Sequence, residues 1–116
     1  MSSERMEIAS RWLATADLFK VLSAPLRIGI IELLVERPRN VSELVDALGA
    51  PQPLISQHLR ILRETCLVQG NRSGRETTYS LMDDHVAHIV RDAIAHTSEH
   101  DPSKPKETHQ PRKDPT

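Results

Sequence analysis

The sequence predicts a mostly α fold carrying one small β-hairpin. Three observations carry that expectation. First, the 116 residues are 38% apolar but only 3% aromatic. Their core must therefore be built from Leu, Ile, Val and Ala, a set that favours helices over a sandwich or barrel. Second, apolar residues recur at steps of three and four through most of residues 5–99, the period of a helix buried on one side. Third, the stretch 67–81, "LVQGNRSGRETTYSL", alternates instead around a glycine-containing centre, as paired strands do. This length supports one domain of modest core, expected here over residues 1–100.

The first helix is expected over residues 5–22, where Ile8, Trp12, Ala16 and Phe19 form one stripe. The second follows in "SAPLRIGIIELLVER": Ser23 can cap it, Pro25 suits its first turn and Pro38 stops it. Leu26, Ile30, Ile31, Leu33 and Leu34 cover much of its surface, so it should be the most buried helix. A short third helix is read from Ser42 as N-cap through Leu44, Val45 and Leu48 to Gly49. The fourth has Ile55, Leu59, Leu62 and Cys66 on one face. Gln52, Ser56, Arg60 and Arg63 share another face, with Gln57 beside them. Two short helices, a tight turn and a helix with a polar, basic outer face have helix-turn-helix spacing. In the hairpin, Val68 precedes the turn, Gly74 sits in the tip, and Thr77, Tyr79 and Leu81 follow. A hairpin in that place is a wing. The last helix covers residues 82–99, with Val86, Ile89, Ala93 and Ile94 as its apolar positions. Residues 101–116, "DPSKPKETHQPRKDPT", lack large apolar side chains and are expected to be a disordered tail.

Net charge is −1, which is no global footprint of nucleic-acid binding. Its distribution says more. Arg60, Arg63, Arg72 and Arg75 outnumber Glu64 and Glu76 in the middle of the chain, whereas Asp83, Asp84, Asp92, Glu99 and Asp101 face Arg91 alone near the end. A local basic patch suffices for phosphate contacts, because counterion release depends on the contacting groups. The fourth helix is expected in the major groove, with Gln52, Ser56 and Gln57 at base edges and Arg60 and Arg63 at phosphates. Arg72 and Arg75 at the wing tip should reach the backbone or minor groove. Pro51 and Pro53 bracket Gln52, stiffening the helix entry and removing a polar side chain near DNA. Glu32 and Arg37 interrupt the longest apolar stretch, so no membrane span is expected. The absence of a charged, then apolar leader and the single cysteine, Cys66, point to a reducing cytoplasm. With no nucleophile arrangement or phosphate loop, an enzyme is not expected.

Three stretches, "LFKVLSAPLRIGIIELL", "VSELVDALGAPQPLISQHLRILRE" and "LVQGNRSGRETTYSL", resemble the ArsR/SmtB family of winged helix-turn-helix repressors. The resemblance covers roughly residues 8–99 in unbroken order. It implies the order α1-α2-α3-α4-β-β-α5 for the elements just read, and a homodimer joined through the first and last helices. It also implies metal sensing. The family's thiolate site has no counterpart in "NVSELVDAL", which lacks cysteine. Its site on the last helix does: Asp83-x-His85, ten residues, then His96-x-x-Glu99, the pattern of the zinc-sensing branch. The resemblance further implies a relay from His96 to the carbonyl of Cys66. The Cys66 side chain itself is then incidental and reads as a core residue.

The spacing makes physical sense. His85 and His96 are eleven residues apart, about 16 Å along a helix. One Zn²⁺ with ligands at about 2 Å cannot reach both within one chain. Two antiparallel copies solve this, with Asp83 and His85 of one subunit meeting His96 and Glu99 of the other about a two-fold axis near Arg91. Two imidazoles and two carboxylates suit Zn²⁺; Co²⁺ or Ni²⁺ could substitute. Other ligand sets remain open. Asp84, His88 and Asp92 repeat at i, i+4 and i+8; His100 could replace Glu99; and His100 with the tail residue His109 could build a six-coordinate nickel or cobalt site. Asp83 could also cap the helix.

The expected function is a zinc-responsive repressor. Its metal-free dimer binds double-stranded operator DNA, and zinc lowers that affinity to derepress metal-homeostasis genes. The alternatives are a nickel or cobalt sensor using His100 or His109, a winged-helix regulator whose metal site is structural only, and a zinc-buffering or interaction protein whose winged helix is vestigial.

Overall fold

A computed structural model of the chain describes residues 2–103. Its elements are α1 (Ser3–Leu22), α2 (Pro25–Glu36), β1 (Arg39–Asn40), α3 (Val41–Leu48), α4 (Gln52–Glu64), β2 (Val68–Ser73), β3 (Glu76–Leu81) and α5 (Asp84–Glu99). The expected five helices and hairpin are all present. The tail beyond Ser103, including His109, lies outside the described residues.

α2 is the hub of the packing. It meets α1, α3, α4, α5 and β3, and its Ile30, Ile31 and Leu34 are buried. Around them close Leu44 from α3, Ile55, Leu59 and Leu62 from α4, Val68 from β2, and Val86 and Val90 from α5. These aliphatic side chains form one continuous core, as the aromatic-poor composition requires. Ile55, Leu59 and Leu62 fall at steps of four and three, so α4 turns one face inward and its polar face outward.

Two caps differ from expectation. α3 starts two residues earlier, capped by Asn40 rather than Ser42. The Asn40 side chain accepts from the Glu43 N–H at 2.9 Å while Glu43 accepts from the Asn40 N–H at 3.2 Å. This reciprocal capping box satisfies two otherwise orphaned donors, which Ser42 could not do alone. At the start of α2, Ala24 takes the cap position without a side-chain bond and Pro25 opens the helix. Ser23 instead closes α1, its N–H donating to the Lys20 carbonyl.

The sheet has three strands in the order β1-β3-β2, all antiparallel. β1 was not expected. It pairs Arg39 with Tyr79 and Asn40 with Thr78, tying the entrance of α3 to the hairpin. β2 and β3 run in register from Val68↔Leu81 to Ser73↔Glu76. Gly74 takes a φ of 63° in the two-residue turn, the conformation that tight hairpins demand there.

Cys66 is a correction. It does not join the buried face of α4; it is exposed, beyond the helix end, with a φ of 60°. The reason is the way α4 stops. The Leu67 N–H donates to the Leu62 carbonyl at 2.9 Å and the Cys66 N–H to the Arg63 carbonyl at 3.1 Å. That pair of bonds is a Schellman ending, whose left-handed residue is usually glycine. Cysteine fills it here, and Leu67 rather than Cys66 turns into the core.

Candidate nucleic-acid interface and metal half-sites

α4 and the hairpin both carry exposed polar side chains. Gln52, Ser56, Gln57, Arg60 and Arg63 on α4, and Arg72 and Arg75 at the wing, are all exposed. α4 begins after Pro51, whose carbonyl accepts from the N–H groups of Leu54 and Ile55 at 3.1 Å each. Pro53 therefore costs nothing in its first turn. Arg60 reaches Glu64 at 3.4 Å, with both side chains largely in solvent, a pairing weak enough to yield to a phosphate. At the wing tip, Arg72 donates from Nε to the Gly74 carbonyl at 3.3 Å. The wing is tied to the start of α3 along β3: Asn40 Nδ2 donates to Glu76 Oε1 at 3.4 Å near the tip, and β1 pairs with Thr78 and Tyr79 of β3.

Sequence reasoning passed over one contact in this region. His58, between Gln57 and Leu59, accepts at Nδ1 from Arg27 Nε at 3.1 Å. Arg27 also donates from Nη1 to the Val21 carbonyl at 3.0 Å. The available signal was a lone histidine three or four residues from Leu54, Ile55, Ile61 and Leu62, an apolar setting that demands a partner for its ring nitrogens.

The four candidate metal ligands stand in two pairs at opposite ends of α5. At the N-terminal end, Asp83 caps the helix, Oδ1 accepting from the Val86 N–H at 3.1 Å. His85 Nδ1 lies 3.7 Å from the same oxygen. Asp83 thus has the capping role that the sequence left open, and its second oxygen remains available. At the other end, His96 and Glu99 are exposed in the last turn. The His96 ring sits 4.5 Å, centroid to centroid, from that of His100. Among the described residues, His96 makes no hydrogen bond to Cys66, and no three His, Cys, Asp or Glu side chains converge on one position in a single chain. The donor chemistry of the two pairs fits a divalent ion, each pair supplying one imidazole and one carboxylate. Asp84, His88 and Asp92 are exposed on the same helix.

Between the half-sites lies unfinished apolar surface. Trp12 is 70% and Phe19 56% exposed on α1. Phe19, Leu22, Ile89, Ala93 and Ile94 help line an open cleft of about 300 Å³ between α1 and α5.

Comparison with known proteins agrees with this architecture. The profile of the family described as "Bacterial regulatory protein, arsR family" matches residues 24–69. The HTH-type transcriptional repressor SmtB of Mycobacterium tuberculosis is 56% identical over 86 residues, which are 74% of this chain and 64% of that protein. The matched stretch thus spans somewhat less than two thirds of that relative. The HTH-type transcriptional regulator NmtR of the same organism is 42% identical over 85 residues, 73% of this chain and 70% of the relative. The crystal structure of M. tuberculosis Rv0081 superposes with a TM-score of 0.69 at 35% identity, covering 75% of this chain and 88% of that one.

Proposed function

Because the chain belongs to the arsR family of bacterial regulatory proteins, we propose that it is a cytoplasmic, zinc-responsive transcriptional repressor acting as a homodimer. The observation that carries this reading is the division of α5 into two half-sites. Asp83 and His85 stand at one end of the helix and His96 and Glu99 at the other. Two antiparallel copies of α5, packed through the exposed apolar surface of α1 and α5, bring each pair against the complementary pair of the partner subunit. Asp83 and His85 of one subunit with His96 and Glu99 of the other would hold a redox-inert divalent ion such as Zn²⁺, which would link the two subunits.

The chain's own groups do the rest. In the metal-free dimer, Gln52, Ser56 and Gln57 meet base edges, and Arg60, Arg63, Arg72 and Arg75 hold the phosphate backbone. Two-fold symmetry of the dimer matches a two-fold operator. His96, engaged through one ring nitrogen, has the other free to donate to the Cys66 carbonyl. The Schellman ending exposes Cys66 at the C-terminal end of α4, so a bond there pulls on the recognition helix. Linkage requires DNA to weaken metal binding by the same factor as metal weakens DNA binding.

A second reading follows from the 4.5 Å approach of His96 and His100. His100, with His109 from the tail, would then build a nickel or cobalt site. One experiment separates the two: binding to the DNA upstream of its own gene, titrated with zinc, nickel and cobalt, for the full chain and for a chain ending at Glu99. The four-ligand zinc sensor responds equally in both forms. Loss of the response on truncation favours the second reading, and no metal response in either form removes both.

A further inference from the structure

Arg27 joins three helices. It projects from the first turn of α2, donates to a carbonyl in the last turn of α1, and donates to a side chain in the middle of α4. The Val21 carbonyl is one of the orphan acceptors at a helix end, so this bond satisfies a group that α1 cannot satisfy itself. The other bond sets a condition on His58. Nδ1 must carry a lone pair to accept from Arg27, so the imidazole proton sits on Nε2 and the ring is neutral. The guanidinium is charged at every accessible pH.

Protonation of His58 therefore does two things at once. It replaces an acceptor with a donor facing another donor, and it brings two cations within hydrogen-bond distance. Among the described residues no carboxylate bonds His58 to offset this. On its own helix, His58 is flanked at three and four residues by Leu54, Ile55, Ile61 and Leu62. Of the elements packed on α4, α3 carries Glu43, committed to Arg37 and the Asn40 N–H, and the exposed Asp46. β2 carries Arg72, turned to the Gly74 carbonyl. On α2, Glu36 is paired with Arg39 and Glu32 is exposed. Among the described residues no carboxylate pairs with His58, and Arg27 is the charged group set against it. Burial, and then the Arg27 charge, hold the imidazole below its ordinary value of about 6.5.

From this geometry we propose that His58 is a proton-sensitive positioning residue: neutral, it docks the DNA-reading helix through Arg27 onto α2 and α1, and protonated, it releases that helix and weakens duplex binding. The inference rests on the DNA-binding reading above. It adds a response to acidity that is independent of the α5 half-sites, transmitted to Gln57 and Arg60 on either side of His58. The direction follows from linkage. A histidine depressed in the folded state contributes its full share above its ordinary value, and that share is lost as pH falls through the folded value.

The test uses the full-length chain with chelator present and a duplex selected from a random-sequence library at pH 8. Affinity is measured by fluorescence anisotropy from pH 8.0 to 5.5 at constant ionic strength. His58→Asn keeps an acceptor oxygen near the Nδ1 position but cannot titrate. It should bind at pH 8 like the parent and lose several-fold less affinity on acidification, because it has no imidazole to protonate against Arg27. The five other histidines are present in both proteins, so their titration cancels in the comparison. Should the Asn variant fold poorly, Arg27→Gln gives the second readout: the His58 imidazole, followed by its nitrogen NMR shifts, should titrate at higher pH once the guanidinium is gone. Parallel pH profiles for parent and His58→Asn, or an unmoved His58 titration in Arg27→Gln, overturn the proposal alone. Absence of duplex binding by the parent at pH 8 overturns the DNA-binding reading, and this inference with it.

Discussion

α4 and α5 are both amphipathic helices, yet one is finished within a single chain and the other is not. α4 buries Ile55, Leu59 and Leu62 in its own core, ends in a fully bonded Schellman turn, and turns a polar face to solvent. α5 buries Val86 and Val90 against α2 but leaves an apolar cleft beside α1 and a half-set of ligands at each end. The contrast teaches where control lies. On the proposed function, the surface that would read DNA is complete in each subunit, whereas the surface that would bind a metal is completed only by association. Regulation would then pass through the way two subunits are joined.

The largest expected effect breaks the finished side. Leu59→Ala should cost about 3 kcal/mol in urea denaturation, with or without metal, because the site is fully buried and closely packed. Ile94→Ala, on the open side, should leave the folding of each chain nearly intact and instead raise the concentration at which sedimentation detects the dimer. Equal losses of folding stability at the two positions would erase the distinction. Next in size, Asn40→Ala should cost about 1 kcal/mol, since it removes the capping acceptor of α3. Arg37→Gln, rather than Asn40→Ala, should flatten acid unfolding, because it removes the guanidinium that bonds Glu43. Glu43 is held below the ordinary carboxylate range by Arg37 and the Asn40 N–H, so its contribution is present above its ordinary value and lost as pH falls through the lowered one.

Smaller effects sharpen the same comparison. Cys66→Gly should stabilise the chain by up to about 1 kcal/mol by relieving a left-handed backbone that glycine accepts freely. It should leave zinc-dependent release of DNA intact, because the proposed relay uses the backbone carbonyl. Arg63→Ala should weaken binding to all duplexes alike and reduce the salt dependence by about one unit of slope. Smallest of all, the emission of Trp12 should move to shorter wavelength as the protein is concentrated, if α1 is covered by a second copy.

Periodicity made the helices and the hairpin readable in the sequence; α2 to α5 bury one face in this chain, whereas the apolar stripe of α1, with Trp12 and Phe19, is periodic but exposed. Its silence at β1 has a physical cause: two residues give no alternation to detect, and pairing with Tyr79 and Thr78 depends on contacts nearly forty residues away. Asn40 and Ser42 are both good capping residues, and only the reciprocal bond with Glu43 chooses between them. Cys66 falls at the right spacing for the buried face, but the helix unwinds two residues before it. At the candidate site, the residue types and spacing of Asp83, His85, His96 and Glu99 were visible from the start. The Arg27–His58 contact was not, because it joins residues 31 apart through side chains whose directions no periodicity encodes.

The central claim is that each metal site is shared between subunits, and mixing tests it most directly. One variant carries Asp83→Ala and His85→Ala, the other His96→Ala and Glu99→Ala. Each variant alone should lack a complete site. A mixed dimer should regain one complete site of four ligands while its second site keeps none. Equilibrium dialysis with zinc should therefore find no tight binding by either variant alone and one tightly bound ion per mixed dimer after the two are refolded together. Tight binding by either variant by itself, or no recovery in mixed dimers verified by mass, would contradict a site built across the dimer.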